Sequence, residues 1–179
     1  MAALLTSNLV QGEIESPLGT LIVIASDEGL CLLEFHDRRA LPTQLAVVEK
    51  RHCAGIEPGS NPVIAQTREE LRQYFEGSRT EFDVPLDLPA TPFQRLVWDE
   101  LLRIPFSETR SYAQIAERVG KPKGVRAVGR ANGQNRVAII VPCHRVIASD
   151  GSLCGYGGKL WRKEELLSLE GVGLFGGSA

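Results

Sequence analysis

Val137-Ala138-Ile139-Ile140-Val141 runs directly into Pro142-Cys143-His144-Arg145-Val146. Five apolar residues closed by a proline bend read as a short buried strand. A cysteine delivered by such a strand into a bend, with an imidazole beside it, is placed like a nucleophile. The thiolate is the reactive form, and a neighbouring base or cation lowers its pKa. A buried structural cysteine is the alternative, because adjacency in sequence does not fix geometry.

The residues upstream of this stretch favour the nucleophile. Ser111-Tyr112-Ala113-Gln114 is a capping box, in which the serine side chain and the glutamine three residues on satisfy free amides of a helix start. The helix presents one apolar face through Tyr112, Ile115, Ala116 and Val119, and Gly120 stops it. After Lys121-Pro122-Lys123-Gly124 a second short helix runs from about Val125 to Asn132 and ends at Gly133. Two short helices joined by a Gly/Pro turn form a helix-turn-helix candidate, with an ordinary helical hairpin as the alternative. On the second helix Arg126 and Arg130 lie four apart, among the small residues Ala127, Gly129 and Ala131. Small residues admit a close neighbour, and guanidinium groups suit phosphate.

Charge points the same way. The chain as a whole has a formal net charge of −2, but residues 110–163 hold 11 Lys+Arg and 2 Asp+Glu, a net of +9 that leaves −11 for the rest. That segment attracts a polyanion and the remainder repels one.

Together these residues resemble the O6-alkylguanine-DNA alkyltransferases, a direct-reversal DNA repair family, in its stand-alone bacterial form. The similarity runs in order through Ser16-Pro17-Leu18-Gly19, Thr91-Pro92-Phe93-Gln94, Ser111-Tyr112, Arg126-Ala127-Val128-Gly129 and Asn132-Gly133-Gln134-Asn135. It continues through Val141-Pro142-Cys143-His144-Arg145-Val146-Ile147 and Gly155-Tyr156-Gly157-Gly158 to Glu170-Gly171. The resemblance implies that Cys143 is the alkyl acceptor, His144 the base that draws off its proton through water, and Glu170 the group that orients the imidazole. It implies that Asn135 pins the turn before the active-site strand. Tyr112 would donate to N3 of guanine as charge develops on the leaving base. Arg126 would fill the gap left by an extruded nucleotide, with Ala127, Gly129 and Arg130 also on the DNA side. Groups near Cys143 and Val146 would read the exocyclic amine, and Tyr156 and the Gly157 amide would face the substrate, the amide meeting O6. The family presents its second helix to the minor groove.

The implied activity is a stoichiometric methylated-DNA–protein-cysteine methyltransferase, acting once on O6-alkylguanine, and on O4-alkylthymine, after nucleotide flipping. The implied partner is double-stranded DNA carrying O6-alkylguanine, met by a monomer without a cofactor. No metal is expected. Animal members hold zinc through two Cys and two His, whereas two of those positions here are Ser26 and Cys31; Cys31, Cys53, His36 and His52 are not spaced as ligand pairs. Arg130 stands where relatives usually have Gly or Ala, and Asn135-Arg136-Val137-Ala138 lacks the prolines common in relatives. Two rivals from other classes are a DNA-binding regulator without chemistry and a cysteine hydrolase. The acceptor cysteine opposes the first, and the absence of a recognisable acyl-substrate site opposes the second.

The fold class expected is α/β in two domains. Residues 1–88 form a small antiparallel sheet with a helix, ribonuclease H-like by resemblance, plus a linker. Residues 89–179 form a mainly helical DNA-binding and alkyltransferase domain. Residues 11–15, 20–26 and 29–35 read as strands, and Pro62 to Phe75 as a helix. The Pro- and Asp-rich stretch Phe82 to Pro89 reads as the linker. Thr91-Pro92-Phe93-Gln94 opens a helix expected to bury Phe93, Leu96, Val97 and Leu101. The length of 179 residues, with 43% hydrophobic and 23% charged, fits an ordinary globular protein. No run approaches a membrane span, and Met1 to Val10 lacks the basic start of a signal peptide. Four cysteines, one needed as a free thiol, point to a reducing cytoplasm.

Overall fold

The structure is a computed structural model that describes residues 8–173. Residues 1–7, most of the stretch weighed as a signal peptide, lie outside the described residues. The chain divides at residues 89/90 into two compact units. Among the described residues no helix is long and apolar enough to cross a membrane.

The first unit is built on strands β1 (Leu9–Ile14), β2 (Leu21–Ala25), β3 (Leu30–Phe35) and β4 (Ile56–Pro58), in the order β3-β2-β1-β4. β1 pairs antiparallel with β2 and parallel with β4, and β2 pairs antiparallel with β3. Every residue of β2 and β3 is buried. A continuous apolar strand such as Leu21-Ile22-Val23-Ile24-Ala25 requires cover on both faces. Helix α1 (Leu41–His52) supplies it on one side, where Val48, Leu41 and Leu45 pack with Ile22, Ile24 and Leu32. Helix α2 (Pro62–Phe75) supplies it on the other. Gly12, opposite Val23 in the ladder, leaves room for both Val23 and Ile64, whose methyl groups stand 3.5 and 3.6 Å from where a Cβ would lie.

The stretch read as a linker is part of this unit. Leu30 donates its amide to Pro85 O at 2.8 Å, and Asp87 donates to Leu30 O at 3.0 Å, so residues 85–87 lie bonded along β3. Val84 and Leu88 are buried, so this segment anchors itself despite its Pro/Asp composition. Gly29 sits under it with no space for a side chain: a Cβ would meet Pro85 O at 2.8 Å and the Asp87 amide at 2.9 Å. Both are backbone atoms that cannot swing aside. Gly29→Ala is expected to cost about 1–3 kcal/mol, the scale of overpacking a core, read as a lower urea midpoint; an unchanged midpoint means that residues 85–87 can step away freely.

The second unit opens with α3 (Pro92–Leu102), capped by Thr91 and Gln94 in a complete capping box. Val97, Trp98 and Leu101 form its buried face, and the Trp98 indole donates to Ala131 O at 2.9 Å. Leu96, expected in the core, is half exposed: it falls on the opposite side of the helix from Val97 and Leu101. Strand β5 (Arg110–Ser111) leads into α4 (Tyr112–Arg118), again through a complete capping box, here Ser111 and Gln114. α5 (Val125–Gly133) follows the Lys121-Pro122-Lys123 turn, with Gly120 at φ +70° closing α4. A single 3-10 turn, Cys143–Arg145, then passes into β6 (Val146–Ile147), and α6 (Leu160–Leu169) completes the unit.

Residues 137–141 are fully buried but are not a strand. Val141 donates to Val137 O at 3.0 Å, Ile140 to Ala138 O at 2.9 Å, and Ile139 takes φ +72°, so the run coils into a compact loop. The Asn135 side chain takes the place of a neighbouring strand. Its Oδ1 accepts from the Val137 amide at 3.0 Å and its Nδ2 donates to Val141 O at 2.8 Å. Apolar content reported burial correctly; it did not report backbone form.

Candidate active site

β5 and β6 pair in parallel, Arg110 with Val146 and Ser111 with Ile147. This short ladder ties the start of α4, and therefore Tyr112, to the residues that follow Cys143. Cys143 is buried at 6% exposure at the head of the 3-10 turn. The Asn135 amide that organises the preceding loop also donates to Cys143 Sγ at 3.1 Å. A donor aimed at sulfur favours the anionic form over the thiol. Asn132 donates weakly to Cys143 O at 3.5 Å.

His144 is fully enclosed, and its Nε2 lies 2.8 Å from Glu170 Oε1. Since burial and the nearby charges of Arg145 and Lys163 lower the imidazole pKa more than Glu170 raises it, His144 is neutral. Nε2 must then carry the proton that the carboxylate accepts. Nδ1, buried with no hydrogen-bond partner among the described residues, is left with a free lone pair and is the atom able to take a proton. Glu170 caps α6 at 1% exposure and is held from two sides. Burial pushes its carboxyl up, but the hydrogen bonds from His144 and Arg145 and the guanidinium charge outweigh it and bring the carboxyl down to about 2.

Tyr112 is half-buried, and its hydroxyl donates over long distances, 3.4 Å to Cys154 O and 3.5 Å to Gly155 O. Burial, with the charges of Cys154 and Cys143, pushes the phenol up to about 12, so it is a donor at neutral pH. Gly155, at φ +64°, is required here: a Cβ would lie 2.9 Å from the Tyr112 oxygen. Gly129 on α5 faces the same ring with room to spare, since a Cβ there would sit at ordinary contact distance, 3.8 Å, from the Tyr112 ring. Arg126, Ala127 and Arg130 are exposed on that helix, and Gly157 is exposed in the loop after Cys154. Val146 is buried with its carbonyl accepting from Lys163 Nζ, and Tyr156 is half-buried.

The structure thus brings Asn135, Cys143, His144 and Glu170 into one connected group and sets Tyr112 beside it. The arginines stand apart on the outer face of α5. Arg136 and Ala138, in the segment that lacks the relatives' prolines, are buried at 8% and 4%, with the Arg136 guanidinium 5.4 Å over the Trp98 ring. Two further residues belong to the group and carried no assignment from sequence. Arg145 grips Glu170, a role invisible without knowing where Glu170 folds. Lys163 is fully buried on α6, and its ammonium donates to Val146 O and to Cys154 O at 2.9 Å, tying the loop over the site to β6.

The 6-O-methylguanine DNA methyltransferase family model matches in both its parts, the ribonuclease-like domain over residues 9–88 and the DNA binding domain over residues 92–172. The chain belongs to this family. A methylated-DNA–protein-cysteine methyltransferase of Mycolicibacterium paratuberculosis is 46% identical over 158 residues, covering 88% of this chain and 89% of the relative. The constitutive methylated-DNA–protein-cysteine methyltransferase of Bacillus subtilis is 42% identical over 159 residues, covering 88% and 93%. The crystal structure of Mycobacterium tuberculosis O6-methylguanine methyltransferase superposes with a TM-score of 0.77 at 44% identity, over 90% of this chain and 92% of that one. The OGT of the same organism in complex with DNA gives 0.76 at 43% identity, over 91% and 92%. Membership sets the class of activity, DNA repair by alkyl transfer to a cysteine of the protein.

One ligand atom each from Cys31, His52 and Asp87 lies within 4.8 Å of the others. A structural zinc site takes four ligands, and these are three among the described residues. Ser26 donates its hydroxyl to Asp87 at 2.6 Å, and burial pushes the Cys31 thiol up to about 11.

Proposed function

We propose that this chain repairs duplex DNA carrying O6-alkylguanine, and by the same chemistry O4-alkylthymine, by moving the alkyl group once and irreversibly onto Cys143. The observation that carries this reading is the 3.1 Å hydrogen bond from Asn135 Nδ2 to Cys143 Sγ, beside the His144–Glu170 pair. An amide donor aimed at sulfur, with a neutral base next in sequence, suits a thiolate that must react rather than a thiol that only packs.

The thiol proton passes to His144 Nδ1 through water. The sulfur lone pair then attacks the alkyl carbon from behind, the carbon–O6 bond breaks, and its electron pair moves onto the guanine ring. Tyr112 turns its hydroxyl towards N3 to steady that charge, and the proton held by His144 returns through solvent to the departing base. The product is a thioether, which water does not cleave, so each molecule reacts once. Residues 89–179 carry both DNA binding and chemistry, and a monomer suffices. All four cysteines are free thiols, which suits the reducing cytoplasm.

The direct test is a titration of protein against duplex DNA carrying one O6-methylguanine. Intact mass is expected to show one methylene unit gained per protein and repair to stop at one equivalent. Continued repair without a mass gain would mean hydrolysis, and binding with neither would mean a regulator.

Arg126 is exposed at the start of α5, which suits a side chain that enters the duplex where the nucleotide leaves. Holding an opened stack is worth a few kcal/mol, so Arg126→Ala is expected to slow repair of duplex DNA on the order of 10²-fold while scarcely changing reaction with the free modified base. Equal losses on both substrates contradict the role. Arg130→Ala is expected to weaken binding mildly and reduce the salt slope by about one, as a phosphate contact does.

A further inference from the structure

Arg145 is buried at 6% beside the reacting pair, yet touches neither the sulfur nor the imidazole through any hydrogen bond. All three of its nitrogens are engaged. Nε donates to Glu170 Oε2 at 2.9 Å, Nη2 to Glu170 Oε1 at 3.0 Å, and Nη1 to Ile104 O at 2.6 Å, while the guanidinium lies 5.9 Å from the centre of the Phe106 ring. Glu170 Oε1 is the same oxygen that faces His144 Nε2. One carboxylate therefore serves two partners, and the planar fork fixes which oxygen the imidazole meets.

We propose that Arg145 is a positioning residue that neutralises and aligns Glu170, so that Glu170 orients His144 without turning it into an imidazolium. The inference rests on the reading of Cys143 as acceptor and His144 as base. In a buried His–Glu pair the carboxylate charge pulls towards a protonated ring, against the desolvation that burial imposes on it. With Arg145 in place, a protonated His144 would add a second cation around one carboxylate, with the Lys163 ammonium also near. The charged groups that act on the imidazole are Arg145 from its own turn, and Glu170 and Lys163 from α6 and its cap. Only Glu170 favours a charged ring. Removing Arg145 takes away one opposing cation and frees the full carboxylate charge, so His144 should begin to hold a proton near neutrality, when Nδ1 must be empty to accept one from Cys143.

Arg145→Met and Arg145→Lys test this by single-turnover transfer against pH and by NMR of the imidazole. The chain has three histidines, so the signals are few. In the parent the His144 ring should stay neutral over the whole working range. In Arg145→Met it should titrate within that range, and the acid limb of the rate profile should move up by roughly one pH unit, making transfer up to about tenfold slower at pH values below the limb and recovering at higher pH. Arg145→Lys keeps the charge but loses the fork; it should transfer more slowly at every pH with the acid limb near the parent position. A neutral ring and an unmoved acid limb in a folded Arg145→Met overturn the inference; if that variant does not fold, an Arg145→Lys acid limb shifted upward does so. Failure of the parent to gain the alkyl group on Cys143 overturns the functional reading instead, and this inference with it.

Discussion

Replacing Cys143 with alanine abolishes alkyl transfer and leaves DNA binding within about twofold, because affinity rests on basic side chains and helix placement, not on the thiol. Removing a nucleophile costs about 10⁴-fold or more when no other group can stand in. No other cysteine has the surroundings to do so. The Cys31 thiol is pushed up to about 11 by burial and lies in the first unit. Cys53 is exposed at the end of α1, its thiol 3.7 Å from the Lys50 carbonyl, and the neighbouring His52 has its Nε2 3.7 Å from the Asp87 carboxylate. Cys154 is half-buried, but its backbone carbonyl, the acceptor for Lys163 and Tyr112, is what takes part in the site. Single-turnover repair and gel-shift binding, measured on the same preparation, check both halves. Surviving transfer in the alanine variant moves the acceptor elsewhere, with Cys154 the next thiol to replace.

The features legible in the sequence are those specified locally. Thr91-Pro92-Phe93-Gln94 and Ser111-Tyr112-Ala113-Gln114 form the helix starts their residues announce, because a capping box is complete within four positions. Pro62 to Phe75 likewise follows a cap, with Asn61 accepting from the Ile64 amide. α1 went unread for the opposite reason. Its N-cap is Ala40, with no side-chain cap, and Pro42 in the first turn and the short stripe Leu41, Leu45 and Val48 are weak marks, since only Val48 of the three is buried. Residues 137–141 show the other limit. Their burial follows from composition, but whether they pair as a strand depends on what lies beside them, and what lies beside them is a side chain, Asn135. The pair Cys143-His144 was visible because it is contiguous. Glu170, which completes it, is 26 positions away and needed the resemblance to be found. Arg145 was in full view, but its function depends on Glu170 being folded against it.

Glu170→Gln is expected to damage both rate and stability, and pH separates the two. A glutamine can still present an oxygen to His144 Nε2, so the imidazole keeps its tautomer, but no charge remains to stabilise the proton that His144 takes from Cys143. Loss of such a buried orienting charge is expected to slow transfer about 10²- to 10³-fold, with duplex affinity unchanged. The Arg145 guanidinium is then buried without its counter-charge, which costs about 3–5 kcal/mol of folding stability. The sign of the pH effect follows from the folded carboxyl lying at about 2, below its ordinary value. The parent's contribution from Glu170 is present in full above the unfolded carboxylate range and disappears as pH falls through about 4 towards 2. The Gln variant, with nothing to titrate there, should show a flatter fall in stability with acid as well as a lower plateau at neutral pH. Urea unfolding at a series of pH values reads the stability, and single-turnover transfer well below the melting temperature reads the chemistry. A Gln variant that unfolds more easily but transfers at the parent rate would leave Glu170 as a partner for Arg145 alone and remove it from the proton path.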